Sequence, residues 1–186
     1  MRILITGTTG GIGGAVKRAA LAAGHAVVEV NRGDFDTFSS MGSAPVDGIV
    51  FTTGVCPVKP LTLTGDEEFE ETFRVNCGLF VKLMRHVVAG KLNNPKGMRV
   101  VAISSVSATE GWAGGAAYCA SKGALSAVCR ALDVELKPRG ISVTALEPRY
   151  VKTRMFDACA GRMGVDPALA QSPDALAAEI LICLKS

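Results

Sequence analysis

Two side chains with acid–base potential, Tyr118 and Lys122, lie four residues apart in a segment rich in Ala, Leu and Val. Side chains at this spacing share one face of a helix, so a helix over 116–136 would place the phenol beside the ammonium group. A tyrosine, whose pKa is about 10, acts as an acid near neutral pH only where a nearby cation favours the phenolate. Ser105 follows an apolar run, 99–103, and its hydroxyl could hold a substrate oxygen. The pair indicates proton transfer, although the same spacing also occurs on ordinary exposed helices.

Glycines near the N-terminus indicate a turn between a strand and a helix. A short β-branched run ends at Gly7, and three more glycines precede a helical stretch: Gly11, Gly13 and Gly14. In a dinucleotide site, such glycines let the backbone approach a pyrophosphate while the first N–H groups of the helix face the anion. A tight turn that binds nothing explains this segment equally well, so the glycines alone do not establish a cofactor.

The end of the second predicted strand, over 25–32, indicates which dinucleotide would bind. Sites for NAD place a carboxylate there to bind the ribose 2′-OH, whereas an arginine accommodates the 2′-phosphate of NADP. The chain offers Asn31 and Arg32 at this point and no acid, which favours NADP over NAD. The alternative is that Arg32 is a solvated loop residue.

Strand-like and helix-like segments alternate along the rest of the chain. The strands are predicted at 48–51, 99–103 and 141–146, and the helices at 66–89, 116–136 and from an N-cap at Ser172 onward. The stretch 33–47 has room only for a stub of strand at Asp34 and Phe35 and a turn or two of helix. Such alternation predicts a parallel sheet with right-handed crossovers. We therefore expect residues 1–186 to form one α/β domain, a Rossmann-like doubly wound sheet of about six to seven strands with helices on both faces.

Composition narrows the class of protein. Of the 186 residues, 48% are hydrophobic and 20% are charged, which suits one compact domain with a full core. The net charge of +3 comes without a basic block, so nothing favours a nucleic-acid or membrane-surface role. No apolar stretch approaches the length of a membrane span, and we expect a cytoplasmic protein. The six cysteines lack metal-ligand spacing and are interpreted as reduced core residues, so no metal is expected.

In this order and spacing, the motifs resemble those of the short-chain dehydrogenase/reductase family. The segment 6–13, Thr-Gly-x-x-x-Gly-Ile-Gly, is similar to the family's cofactor fingerprint, and 53–54 falls at its Asn-Asn-Ala-Gly motif. Asn76 occupies the position of the family's catalytic asparagine, although by itself it would be interpreted as an exposed helix residue. Ser105 and the segment 118–122, Tyr-Cys-Ala-Ser-Lys, match the active site at the family's separation.

The resemblance implies a role for each of four residues. Tyr118 would be the general acid in reduction and the general base in oxidation, and Ser105 would hydrogen-bond the substrate carbonyl or hydroxyl. Lys122 would lower the pKa of Tyr118 and bind the nicotinamide ribose, while Asn76 would hold a water that relays protons. The expected dinucleotide contacts are Gly7, Thr8, Thr9, Gly11, Ile12, Gly13, Asn31, Arg32, Asp34, Phe35, Thr52, Thr53, Gly54, Tyr118, Lys122, Pro148, Val151 and Thr153.

The chain departs from the family pattern at several points. Phe51 and Thr52 replace an Asn-Asn pair that braces the central strand, although threonine hydroxyls could serve partly. Arg149 replaces the glycine after Pro148, which would put a long cation beside the nicotinamide. The stretch 33–47 is abbreviated, and the family's last strand is absent, which would leave a sheet edge exposed to a partner.

The resulting hypothesis is an NADP-preferring oxidoreductase that transfers a hydride between nicotinamide and a small-molecule carbonyl or alcohol. The alternative is a catalytically weak NAD(P)-binding sensor or scaffold protein. The helices over 66–89 and 116–136 carry apolar residues beyond one face, with Phe80 and Leu132 among those assigned to a second face. The family pairs these helices about a two-fold axis, so the resemblance implies a homodimer or a homotetramer.

Overall fold

Five parallel strands form the sheet at the centre of the computed structural model, which describes residues 1–36, 45–90, 92 and 97–185. Their order across the sheet is β2-β1-β3-β4-β5. Because β2 and β3 lie on opposite sides of β1, the strand order reverses there, and the carboxyl ends of β1 and β3 border a crevice. The strands are β1 (Arg2–Thr6), β2 (Ala26–Val30), β3 (Gly48–Phe51), β4 (Met98–Ile103) and β5 (Ile141–Leu146).

Helices cover both faces of the sheet, which confirms the predicted doubly wound architecture. The six α-helices of the described residues are α1 (Gly11–Ala22), α2 (Asp66–Phe73), α3 (Leu79–Val88), α4 (Ala116–Leu136), α5 (Arg154–Met163) and α6 (Pro173–Cys183). Alternate side chains along a strand point to opposite faces. Accordingly, Ile3 packs with α1 and α6 in one core, whereas Leu4 packs with α3 and α4 in the other.

The number of strands is smaller than predicted, since the described residues form five rather than six or seven. Only residues 31–47 separate β2 from β3, and one parallel crossover already needs a dozen residues or more. The predicted strand stub at Asp34 and Phe35 is instead a 3₁₀ turn, Arg32–Asp36. The predicted turn of helix beyond it falls on 37–44, outside the described residues.

The helix predicted over 66–89 is interrupted in its middle. A wider π-helical turn, Arg74–Gly78, separates α2 from α3. The start is as predicted, with acidic Asp66, Glu67 and Glu68 in the first turn, where they complement the helix dipole. π turns inside α-helices are rare and are often found at functional sites, and this one contains Asn76.

Candidate active site

The segment that follows β4 and the first turns of α4 bring three predicted catalytic residues to one cavity. Helix α4 has the predicted bounds, so Tyr118 and Lys122 lie one turn apart on the same face. Ser105 lies two residues beyond the end of β4, close enough to the Tyr118 side chain to lower the pKa of its phenol. All three line a cavity of about 390 Å³ at the carboxyl ends of the strands.

Lys122 is held in a buried position beside the tyrosine. Only 5% of its surface is exposed, and its Nζ donates a hydrogen bond to the carbonyl oxygen of Ile103 at 2.8 Å. The same nitrogen lies 5.7 Å from the centre of the Tyr118 ring. Burial, which disfavours the charged ammonium, lowers the pKa of Lys122 to about 8. The residue is therefore mostly cationic at pH 7 and loses its charge at mildly alkaline pH.

The phenol of Tyr118 is strongly biased toward its protonated form in the chain by itself. Burial raises the pKa of this phenol above its ordinary value, and the neighbouring Cys56 adds to the increase, while the nearby Ser105 hydroxyl opposes it. A protonated phenol is the form that a general acid must have. The lowering of this pKa by Lys122, which the family resemblance implies, stays a prediction.

Asn76 is fully buried in the π turn and does not line the cavity directly. Its Nδ2 donates to the Val55 carbonyl and to Ser121 Oγ, both at 2.9 Å, and its Oδ1 accepts from the Val55 N–H at 2.8 Å. A Cβ added to Gly54 would lie 3.3 Å from Asn76 Oδ1 and 3.7 Å from Lys122 Nζ. The asparagine therefore fixes the loop that follows β3 next to the lysine, and its role in holding a water stays a prediction.

The glycine turn is packed so closely that two of its positions have no room for a Cβ atom. Gly7 has a φ of 67°, and a Cβ on Gly13 would lie 2.3 Å from the Gly7 carbonyl oxygen. A Cβ on Gly11 would lie 2.6 Å from Thr153 Cγ2, so the turn also lies against the segment before α5. The N-terminus of α1 has no acidic residue in its first turn. Because Gly7, Gly11 and Gly13 line the cavity, the positive end of the helix borders it, which fits a pyrophosphate.

Asn31 and Arg32, which are predicted to lie near an adenosine ribose, line the cavity. The sequence interpretation overlooked Glu29, two residues upstream on β2. This carboxylate pairs with Lys17 Nζ at 2.6 Å and accepts a hydrogen bond from Thr8 Oγ1 at 2.6 Å, and these bonds lower its pKa. An acid therefore does lie on β2, but it is already engaged by a cation and a hydroxyl.

Three of the expected dinucleotide contacts have other tasks in the structure. Thr8 bonds Glu29, and the Asp34 carboxylate accepts the Asn31 backbone N–H at 2.6 Å, which closes the turn after β2. Phe35 is 1% exposed and packs edge-on against Phe51 in the core. The side chains of these three residues are not part of the cavity wall. The wall does contain Gly7, Thr9, Gly11, Ile12, Gly13, Asn31, Arg32, Thr52, Thr53, Gly54, Pro148, Val151 and Thr153.

Threonines join β1 to β3 where the family uses asparagines. The Thr6 hydroxyl accepts hydrogen bonds from the backbone N–H groups of Thr52 and Thr53 at 3.0 and 3.2 Å. The Thr52 hydroxyl donates to the Thr6 carbonyl oxygen at 2.5 Å. The hydroxyls thus provide the expected partial replacement for the missing amides.

Arg149, which was expected beside the nicotinamide, lines the cavity and pairs with an acid. Its guanidinium makes two hydrogen bonds to the Glu110 carboxylate, from Nη1 at 3.0 Å and from Nη2 at 2.6 Å. Both side chains are about half exposed at the rim of the cavity. This exposed ion pair joins the segment after Pro148 to the segment before α4.

Apolar side chains also line the cavity, among them Trp112 and Met155. Two residues interpreted as core cysteines, Cys56 and Cys159, line it as well. Their position follows from tertiary packing of α5 over the loop after β3, for which the sequence carries no local signal. Within the described ranges, no group of three or more His, Cys, Asp or Glu side chains could hold a metal ion.

Comparison with known proteins identifies the family. The chain belongs to the short-chain dehydrogenase/reductase family, because the sequence model of that family, described as short chain dehydrogenase, matches residues 36–162. L-xylulose reductase from Bos taurus is 29% identical over 181 residues, which cover 84% of this chain and 74% of that protein. The 3-oxoacyl-(acyl-carrier-protein) reductase FabG of Rickettsia felis is also 29% identical, over 180 residues that cover 83% of this chain and 74% of that protein.

Solved structures agree on the fold. A short-chain dehydrogenase from Streptomyces avermitilis superposes with a TM-score of 0.84 at 25% identity, over 100% of this chain and 84% of that one. A dehydrogenase from Agrobacterium tumefaciens that was solved with bound NADP superposes with a TM-score of 0.85 at 20% identity, over 98% of this chain and 87% of that one. With its family established, the chain is an NAD(P)-dependent oxidoreductase acting on CH–OH or C=O groups. No helix in the described part of the chain is both long and apolar enough to span a membrane.

Proposed function

We propose that the chain is an NADP-preferring reductase of small-molecule carbonyls, with Tyr118 as the proton donor. One observation carries the proposal: a single cavity runs from the glycine turn to Ser105, Tyr118 and Lys122. A dinucleotide with its pyrophosphate at the N-terminus of α1 would therefore have the acid–base residues at the other end of the same space.

The nicotinamide, when bound, supplies the hydride, and the residues of the chain bind, orient and protonate. The Ser105 hydroxyl would donate a hydrogen bond to the substrate carbonyl oxygen, which sets that oxygen beside the phenol. The Tyr118 O–H would then transfer its proton to the alkoxide oxygen as it forms. The Lys122 ammonium, 5.7 Å from the ring centre, would stabilise the phenolate that remains. The raised pKa of Tyr118 supports the reductive direction, since the phenol is protonated at neutral pH and can donate its proton.

The preference for NADP rests on charge at the end of β2. Arg32 is exposed on the cavity wall, where its guanidinium is available to a 2′-phosphate. Glu29, which could have served a free 2′-OH, is paired with Lys17 and Thr8 instead. An exposed guanidinium beside a carboxylate that is already paired therefore favours the dinucleotide with the extra phosphate.

Oxidation of NADPH with a panel of aldehydes, ketones and keto acids tests the activity, with NADH as the matched comparison. We expect turnover with at least one carbonyl and a higher kcat/KM with NADPH. The alternative is a weakly catalytic NAD(P)-binding sensor or scaffold, for which the grounds are Arg149 near the nicotinamide and the sheet edge left by the missing last strand. The pairing of Arg149 with Glu110 weakens the first of these grounds. Dinucleotide binding without turnover on any carbonyl or alcohol would favour the alternative. The cytoplasmic location and the homo-oligomer stay predictions.

A further inference from the structure

Two cysteine thiols meet on the apolar wall of the cavity. Cys56 lies in the loop that follows β3, and Cys159 lies on α5, 103 residues further along the chain. The Cys159 thiol lies 3.6 Å from the Cys56 carbonyl oxygen, and it is close enough to the Cys56 thiol to raise the pKa of that thiol. Both residues line the cavity, and both lie close enough to Tyr118 to influence its ionisation. Nothing in the proposed reaction uses them.

We propose that Cys56 and Cys159 form an oxidisable dithiol, which a small disulfide reagent entering the cavity converts into a Cys56–Cys159 disulfide. The sulfur of one cysteine, as thiolate, attacks the S–S bond of the reagent, forms a mixed disulfide and releases one thiol. The other cysteine attacks the mixed disulfide, which forms the protein S–S bond and releases the second thiol. The two cysteine protons pass to the released thiolates, and the two electrons lost by the cysteines reduce the reagent.

The local environment sets the pace of this reaction. Burial raises the pKa of the Cys56 thiol, and the adjacent Cys159 thiol raises it further, so Cys56 rests as a neutral thiol. The thiolate is the nucleophile, and the exchange is therefore expected to be slow at neutral pH. The position of the Cys159 thiol, 3.6 Å from the Cys56 carbonyl oxygen, favours the second step, because a mixed disulfide on either cysteine would have its resolving thiol nearby.

The disulfide would act on the shape of the substrate end of the cavity. It would join α5, which contributes Met155 and Phe156 to the wall, to the loop whose Val55 is held by Asn76. The substrate wall would then be fixed relative to the catalytic face. We expect the oxidised protein to lose carbonyl turnover and to regain it after reduction with a dithiol. This second effect rests on the proposed function, whereas formation of the disulfide does not.

The test is a thiol count on the full chain without cofactor or substrate. After incubation with hydroxyethyl disulfide and removal of the reagent, titration in denaturant should find four free thiols in place of the six present now. Peptide mapping should find one cross-link, between the peptides that contain Cys56 and Cys159. Cys183→Ser, remote from the cavity, is the matched control and should still lose two thiols.

Single variants distinguish an internal disulfide from unrelated oxidation. Cys56→Ser and Cys159→Ser should each retain a mixed disulfide with the reagent, because the resolving thiol is missing, and neither should form the cross-link. If Cys159→Ser fails to fold, Cys56→Ser answers the same question from a half-buried loop position. Six thiols after oxidation, a cross-link to Cys119, or loss of two thiols in Cys56→Ser would each overturn the proposal. Because no outcome depends on turnover, the test is independent of whether the reductase activity is found.

Discussion

Gly13→Ala tests the glycine turn through the free energy of unfolding. We expect this substitution to destabilise the protein, whereas the same substitution inside an ordinary helix stabilises it. Gly13 lies in α1, where replacing a glycine interior to a helix by alanine normally stabilises by about 0.5 to 1 kcal/mol. Here the new Cβ would lie 2.3 Å from the Gly7 carbonyl oxygen and 2.6 Å from Thr52 Oγ1. Contacts this short force the backbone to move, and overpacking of this kind costs about 1 to 3 kcal/mol. We therefore expect a net loss of about 1 to 2 kcal/mol in the free energy of unfolding.

Urea unfolding measures this change, and Gly161→Ala is its matched control. Gly161 also lies inside a helix, α5, but its Cβ would meet no atom within 4 Å. The same substitution should therefore stabilise there by about 0.5 to 1 kcal/mol. The strained turn should also weaken NADPH binding in Gly13→Ala, because the backbone that would approach the pyrophosphate has moved. A Gly13→Ala protein that is as stable as the parent and binds NADPH equally well would refute the description of the turn.

Three further predictions concern the cofactor, the lysine and assembly. NADPH should bind more tightly than NADH by about 1 to 3 kcal/mol by calorimetry, and Arg32→Ala should remove most of the difference. The pKa of Lys122 is about 8 in the folded protein and ordinarily 10.5, so between these pH values the residue binds fewer protons in the folded than in the unfolded state. The free energy of unfolding of the parent should therefore rise with pH in this window, relative to that of Lys122→Met. Sedimentation should give at least a dimer, and Val134→Glu, on an exposed position of α4, should shift it toward monomer.

Each of these predictions has an outcome that contradicts it. Equal affinity of the parent for both dinucleotides would mean that Arg32 does not bind the 2′-phosphate. If the free energy of unfolding changed with pH in the same way in the parent and in Lys122→Met, the Lys122 ammonium would not be desolvated in the folded state. A monomeric parent in sedimentation would mean that the exposed apolar residues of α2 and α4, which include Phe69 and Val134, cover no interface.

Local patterns predicted the catalytic face, and tertiary contacts decided what was missed. The spacing of Tyr118 and Lys122 is a property of one helix, so sequence alone placed them together. The π turn that breaks the helix over 66–89 accompanies the hydrogen bonds of Asn76 to a loop about twenty residues upstream, which no local pattern records. Likewise, the partner of Arg149 is Glu110, 39 residues away.

The predicted interface also needs correction at one residue. Phe80 was assigned to an outward face of its helix, yet it is fully buried against Phe51 in the core. A charged residue at this position would unfold the protein rather than dissociate it. The error has a physical cause: the π turn shifts the helical phase between α2 and α3, so a regular 3.6-residue period assigns the wrong face. In contrast, Phe73 lies before α3 and is 39% exposed.

The central claim, that Tyr118 donates the transferred proton, is tested most directly by Tyr118→Phe. The substitution keeps the ring, which packs near Trp112, and removes only the hydroxyl, which lies near Ser105. We predict that kcat for NADPH-dependent reduction of the best carbonyl substrate falls by about a hundredfold or more, while the dissociation constant for NADPH changes by less than about threefold. Near-normal turnover in Tyr118→Phe would contradict the account, because another group would then have to supply the proton.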